Sequence, residues 1–187
     1  MAATPTPRAG KCAADCGRML LSRPWAAPTG GVLTKSPGAG HRALRRGRAS
    51  LPGQIYLLTT TTRHRQPFFT RFPAACAAAR CFAHAGLLAD ARMLAWVLMP
   101  DHVHWLLQLG AATPIDELVI RLKSASARQV NRVLARTGPL WSTAYHDHAL
   151  REEDDLRAAA RYLIANPLRA GLVQRVGDYP FWDAVWM

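Results

Sequence analysis

The chain lacks long hydrophobic runs, has few cysteines and has half as many acidic as basic residues. No stretch of ~18 apolar residues without a charge occurs, so we expect no bilayer-spanning segment. The 4 cysteines form no CxxC pair, which argues against a zinc site, and a chain of 187 residues does not need a disulfide framework. Near the start, Arg18 and Arg23 interrupt the short apolar Met19–Leu21 segment, unlike a secretory signal. We therefore expect a cytoplasmic protein with reduced thiols.

The shortage of acidic residues gives the chain a strong positive charge. It has 24 Lys and Arg against 12 Asp and Glu, a net charge of +12. Such a balance indicates a polyanionic partner such as nucleic acid. Residues 1–50 carry 9 of the basic residues and 1 acidic residue, so most of the excess lies in this segment. The charge of the remaining chain is a weaker indication of nucleic-acid binding.

The composition divides the chain into two parts. Residues 1–49 are rich in Ala, Pro, Gly and Arg without hydrophobic periodicity, which predicts a disordered basic tail. From residue 50 to residue 187 the pattern is that of one folded domain. A basic arm that attracts phosphates is an alternative role for the tail.

Alternating apolar and polar runs predict the elements of this domain. The expected order is strand, helix, strand, strand, helix, strand, helix, at residues 54–62, 73–88, 92–98, 102–109, 114–135, 145–150 and 153–166. The first six match the split β-α-β-β-α-β pattern of ferredoxin-like folds. The sequence therefore predicts an α+β fold with an antiparallel sheet, followed by a C-terminal helix that carries Tyr162.

Two segments contain candidate catalytic residues. His102 and His104 alternate on a predicted strand, so their imidazoles lie on one face and can share a metal ion, although such a pair is often a surface or hydrogen-bonded feature. On the last predicted helix, Tyr162 and Asn166 are four residues apart and share a face. A phenol can attack phosphorus and an amide oxygen can complete a metal shell. A packed tyrosine followed by a capping asparagine is the structural alternative.

Other polar residues form patterns of lower specificity. His146 and His148 repeat the HxH spacing and are interpreted as a polar strand, with an outer-shell role for His148 as the alternative. Several arginines are candidates for contact with a DNA backbone or hairpin, either after the first strand or along the second helix. They are Arg63, Arg65, Arg121, Arg128 and Arg132.

Four blocks, taken together, resemble one known family. They are Arg48-Ala-Ser-Leu-Pro-Gly-Gln-Ile-Tyr56, Trp96-Val-Leu-Met-Pro-Asp-His-Val-His-Trp-Leu-Leu107, Tyr145-His-Asp-His-Ala-Leu-Arg151 and Tyr162-Leu-Ile-Ala-Asn-Pro-Leu-Arg-Ala-Gly-Leu-Val173. In this order they resemble the IS200/IS605-like single-tyrosine transposases, most closely the REP-associated group. The resemblance covers about three quarters of the chain, from Ala49 to Asp183.

The resemblance implies an HUH endonuclease and strand transferase. In that family two histidines and a polar side chain one turn past the tyrosine hold Mg²⁺ or Mn²⁺, positions that match His102, His104 and Asn166. The tyrosine, which matches Tyr162, cleaves single-stranded or hairpin DNA through a 5′-phosphotyrosine link, with REP-like palindromes as the implied substrate. The expected location is therefore the cytoplasm, in association with the nucleoid. A catalytically silent DNA- or RNA-binding protein on the same fold is the alternative function, and the sequence does not distinguish a monomer from a homodimer.

Overall fold

The computed structural model describes residues 51–150 and 156–186. Within them the strands are β1 (Ile55–Thr61), β2 (Arg92–Met99), β3 (His102–Gln108), β4 (His146–Ala149) and β5 (Trp182–Ala184). They form an antiparallel sheet of order β4-β1-β3-β2-β5. The first four strands have the order of a ferredoxin-like sheet, so the predicted fold is confirmed, and β5 extends it beyond β2.

Helices cover the sheet unequally. Two long helices, α1 (Phe72–Phe82) and α3 (Ile115–Val133), pack on each other, and α2 (Ala85–Leu88) is a single turn between α1 and β2. Phe82 lies edge-on to Trp96 and Trp105, with ring centroids 5.7 and 5.2 Å apart, so α1 covers the face of the sheet that these tryptophans share. The core therefore lies between this face and the two long helices.

The opposite face is covered near β2. The helix α4 (Leu156–Ile164), followed by the short α5 (Asn166–Arg169), packs on β2. On this second face Ala95, Val97 and Met99 are buried. The corresponding residues of β1 are only partly buried, because the cover does not extend that far across the sheet. This partly open face is where polar side chains can meet a ligand.

The structure differs from the sequence predictions at two helices and one strand. The helix predicted over residues 73–88 ends at Phe82, where the apolar stretch against the tryptophans stops, and the chain turns before α2. The last helix ends at Ile164 and not at Asn166, because the ring of Pro167 conflicts with a helical carbonyl four residues earlier. The strand β5 was not predicted, since three residues carry too little periodicity.

The predicted tail, residues 1–49, and residues 153–155 at the predicted start of the last helix lie outside the described residues. Among the helices of the described part, none has the length and apolar character needed to cross a membrane.

Candidate active site

The two candidate histidines lie on the central strand of the sheet. His102 and His104 alternate with Val103, which is fully buried on the helix-covered face. The rings of the two histidines lie together on the other face, with centroids 4.9 Å apart and planes 89° to each other. The alternation of a strand thus produces the side-by-side pair that the sequence predicted.

Each imidazole is held at Nδ1 by a neighbouring oxygen. The Nδ1 atom of His102 lies 2.5 Å from Oδ1 of Asp101, and that of His104 lies 2.8 Å from Oγ1 of Thr59. Thr59 is the cross-strand partner of His104 on β1, so sheet register sets this contact. A proton on Nδ1 of each ring leaves the Nε2 lone pair for a metal, the usual arrangement for histidine ligands.

Burial and the surrounding charges favour the neutral, ligating form of His104. Burial lowers the pKa of His104 to about 4, and the positive charges of His102 and Arg169 add to this effect against the opposing charge of Asp101. Burial alone would raise the pKa of Asp101, but the hydrogen bond and charge of His102 and the charge of Arg65 lower it overall. At neutral pH the site therefore has a neutral His104 beside an ionised Asp101.

The candidate nucleophile and amide lie on consecutive short helices. Tyr162, on α4, is 65% exposed, so the residue is accessible to a macromolecular substrate. Asn166 is the first residue of α5. The chain keeps a helical turn between the two, with the amide of Ala165 donating to the carbonyl of Arg161 over 3.1 Å. The spacing predicted from the sequence is retained although the helix is interrupted.

Arg169 connects these two side chains, a role that the sequence did not predict. Its Cζ lies 3.6 Å from the centroid of the Tyr162 ring, a cation–π contact, and its Nη2 donates to Oδ1 of Asn166. Its charge also contributes to the low pKa of His104. The spacing of positions 162, 166 and 169, one helical stripe, is the only sequence signal for this arrangement.

The side chains of the site are of types that can bind a hard divalent ion. Across residues 51–150 and 156–186 no group of three or more His, Cys, Asp and Glu side chains gathers to hold a metal. The amide oxygen of Asn166 is the further donor that the sequence predicts. In the structure it accepts a hydrogen bond from the guanidinium of Arg169, and its binding to a metal stays a prediction. Such a mixed nitrogen and oxygen set is compatible with Mn²⁺ or Mg²⁺ and leaves positions open for substrate.

Comparison with known proteins places the chain in a family. The family model described as "Transposase IS200 like" matches residues 52–166, a range that includes His102, His104, Tyr162 and Asn166. The chain belongs to the IS200-like transposase family. This confirms the resemblance inferred from the four sequence blocks.

Relatives of this IS200-like transposase include REP-associated tyrosine transposases. One from Haemophilus influenzae is 31% identical over 96 residues, covering 45% of this chain and 53% of the relative. One from Escherichia coli K12 is 29% identical over 89 residues, covering 46% of this chain and 50% of the relative. The chain thus spans about half the length of the curated relatives it matches.

A solved structure of a REP-associated tyrosine transposase bound to a REP hairpin shares the fold. The superposition has a TM-score of 0.56 at 24% identity and covers 72% of this chain and 79% of the other. This likeness supports the α+β architecture described above.

The arginines predicted to contact DNA lie in two places in this transposase. Arg63 and Arg65 lie in a 3₁₀ turn directly after β1, and Nη1 of Arg65 pairs with Oδ2 of Asp101 over 3.0 Å. This pair brings Arg65 next to the histidine site. The other three predicted arginines, Arg121, Arg128 and Arg132, lie on α3, in the layer that covers the face of the sheet opposite the histidines. Of these, Arg121 pairs with Glu117 over 2.6 Å. Their contact with DNA stays a prediction.

The second histidine pair lies on the same face as the first. On β4, His146 is the cross-strand partner of Thr59, which in turn is opposite His104. Residues directly opposite in a sheet project to the same side, so His146 lies two strands away from His104. Both His146 and His148 are exposed, in agreement with the prediction of a polar strand.

Proposed function

We propose that this chain is a metal-dependent DNA endonuclease and strand transferase that cleaves and rejoins single-stranded or hairpin DNA through a 5′-phosphotyrosine intermediate. The observation that carries the proposal is the pair His102 and His104, with both Nδ1 atoms held by oxygens. The pair lies in a chain whose Tyr162 and Asn166 are joined by one guanidinium. Family membership supports a DNA-processing activity, and the names of the curated relatives support REP-like hairpins as substrate.

The residues of the site have separate tasks in this mechanism. His102, His104 and Asn166 would hold Mg²⁺ or Mn²⁺, which when bound withdraws charge from the phosphate oxygens and stabilises the leaving alkoxide. Asp101 and Thr59 keep the two imidazoles oriented through their Nδ1 atoms. Arg169 holds the ring of Tyr162 at a fixed distance from the amide of Asn166 and supplies a positive charge where a phosphate would bind.

The proposed chemical step forms one bond to phosphorus for each bond that it breaks. The oxygen of Tyr162 loses its proton and forms a bond to phosphorus, while the bond from phosphorus to the 3′-oxygen breaks and that oxygen takes up a proton. A 3′-hydroxyl of another strand end then attacks the phosphotyrosine and releases the phenol. One phosphoester replaces another at each step, so the reaction needs no nucleotide cofactor.

A denaturation-resistant adduct tests the proposal. The full chain is incubated with Mn²⁺ and a labelled hairpin oligonucleotide with single-stranded flanks, and the products are separated under denaturing conditions. We expect an adduct with the wild type that is lost in Tyr162→Phe and in His102→Ala. The matched control is Tyr145→Phe, because the hydroxyl of Tyr145 bonds Asp116 on α3, in the layer over the opposite face of the sheet.

Two outcomes contradict the proposal in different ways. Cleavage that survives in Tyr162→Phe indicates a hydrolase with water as nucleophile. Binding of the hairpin without cleavage by the wild type indicates a catalytically silent binding protein on the same fold.

A further inference from the structure

A polar pocket lies outside the residues assigned above to catalysis. It is a shallow pocket of about 320 Å³ at the end of β1 and the end of α3. Its lining residues have no negative charge; they are Arg63, His64, Gln66, Phe68, Arg136 and Pro139. A concave surface with two guanidinium groups and no carboxylate favours an anionic ligand.

The backbone of this pocket is held in a conformation that L residues rarely adopt. His64 and Arg65 both have positive φ, 55° and 52°. The turn is maintained by Thr62, whose buried hydroxyl donates to the carbonyl of Gln66 over 2.7 Å, and by the amide of Arg63, which donates to the carbonyl of Leu140 over 2.8 Å. Backbone conformations of this kind persist where the surrounding structure enforces them and concentrate at functional sites.

The opposite wall of the pocket is a stacked pair of planar groups. The guanidinium of Arg136 lies over the ring of Phe68, with Cζ 4.5 Å from the centroid. Hydrogen bonds from Nη1 to Oδ1 of Asn131 (2.5 Å) and from Nη2 to the carbonyl of Pro139 (3.3 Å) fix its plane. A fixed guanidinium plane on an aromatic ring is a platform on which a nucleobase can stack.

The pocket is linked to the histidine site through one side chain. Arg65 follows His64 in the same turn and pairs with Asp101, which holds His102. This pair joins the turn to the loop that precedes His102, so a DNA strand bound at both places would pass around the end of β1. The ligand that satisfies both walls has a phosphate for Arg63 and a flat base for the stacked pair.

We propose that this pocket binds one nucleotide of the single-stranded DNA that flanks the phosphate cleaved at the histidine site. The inference rests on the proposed function, because it assigns the substrate strand of that reaction a second contact. Arg63 contacts the phosphate, since its Nε donates to Nε2 of His64 over 3.2 Å and its terminal nitrogens remain for a ligand. The stacked Arg136 and Phe68 hold the base.

Binding without cleavage separates this inference from the proposed function. Affinity of the full chain is measured with EDTA present for three hairpins: one blunt, one with a single-stranded DNA tail, and one with an abasic tail. We expect Arg63→Gln and Arg136→Gln to weaken binding of the tailed hairpin by roughly tenfold. Loss of a phosphate contact should lower the slope of log affinity against log salt by about 0.7. Phe68→Leu should weaken binding of the base-bearing tail by roughly fivefold or more and leave the abasic tail unaffected.

The matched control is Arg92→Gln. Arg92 is an exposed arginine opposite Gln108, at the end of β2 remote from Met99 and its partner His102. Arg92→Gln removes the same charge without changing the pocket, so its effect on binding of the tailed and blunt hairpins should be small and equal. Arg63→Gln removes one exposed side-chain bond, to His64, and keeps the backbone bond to Leu140 that holds the turn, so the test stays valid if Arg136→Gln unfolds.

Three results overturn the inference: equal wild-type affinity for blunt and tailed hairpins, equal losses in Arg63→Gln and Arg92→Gln, or equal losses of the base-bearing and abasic tails in Phe68→Leu. Tail-dependent binding that requires Arg63 supports it, even where no adduct with Tyr162 forms. In that case only the proposed strand cleavage fails.

Discussion

The carboxylate of Asp101 is the part of the site whose removal gives the sharpest prediction. It accepts from Nδ1 of His102 at 2.5 Å and pairs with Arg65 at 3.0 Å. The side chains of Asp101 and His102 are only 22% and 21% exposed, whereas that of Arg65 is 69% exposed. Asp101→Ala should therefore release the imidazole from its orientation, and Arg65→Gln should not.

The expected size of the effect follows from these contacts. Loss of a carboxylate that orients a ligating histidine costs roughly 10- to 100-fold in metal affinity, which corresponds to about 1.4–2.7 kcal/mol. The exposed pair of Arg65 with Asp101 is worth only ~0–1 kcal/mol because water and salt screen it. Asp101→Asn keeps an oxygen acceptor for Nδ1 and should fall between the two.

Calorimetric titration of the full chain with Mn²⁺, in the absence of DNA, measures these differences. His102→Ala defines the complete loss of the site, and Tyr162→Phe should leave metal affinity unchanged. Thermal unfolding in EDTA checks that each variant is folded. If Asp101→Ala binds Mn²⁺ as tightly as the wild type, or if Arg65→Gln loses as much affinity as Asp101→Ala, the proposed role of the carboxylate is wrong.

Two further predictions concern the cation beside the nucleophile and a buried phenol. Arg169→Met removes the guanidinium from the Tyr162 ring and should slow adduct formation roughly 10- to 100-fold in single-turnover assays. Arg169→Lys should recover part of the rate. An equal loss in Arg175→Met, a substitution at another exposed arginine, would contradict this prediction. Tyr179→Phe removes a buried hydroxyl that donates to the carbonyl of Leu98 over 2.6 Å and should cost about 1–3 kcal/mol of unfolding free energy at neutral pH. Burial raises the pKa of Tyr179, so above pH ~10 only the phenol of the unfolded chain ionises. The free energy of unfolding of the wild type should therefore fall as the pH rises above ~10. Chemical denaturation across this pH range should show a smaller fall for Tyr179→Phe.

The local part of the site was predictable from the sequence because short-range geometry determines it. A strand alternates its side chains with a period of two, which brought His102 and His104 to one face without knowledge of the fold. Helical spacing similarly related Tyr162 to Asn166, although Pro167 ended the helix earlier than predicted. The four sequence blocks identified the family, and the family model confirmed it.

The partners of these residues were not predictable because they depend on contacts between distant segments. Thr59 holds His104 across 45 positions of the chain, a contact that exists only because β1 pairs with β3 in one register. Arg169 reaches the ring of Tyr162 and the amide of Asn166 only after the chain turns between α4 and α5.

The sequence by itself determined the order of the first four strands and of the long helices, the family and four candidate site residues, since periodicity and motif are properties of neighbouring residues. The tertiary structure alone decided which oxygens hold the imidazoles, which face of the sheet stays open, and that Arg63 and Arg136, 73 positions apart, line one pocket. The physical reason is that hydrogen bonds, desolvation and charge act over a few ångströms in space. The separation of two residues along the chain does not determine their distance in space, which is set only when the sheet forms.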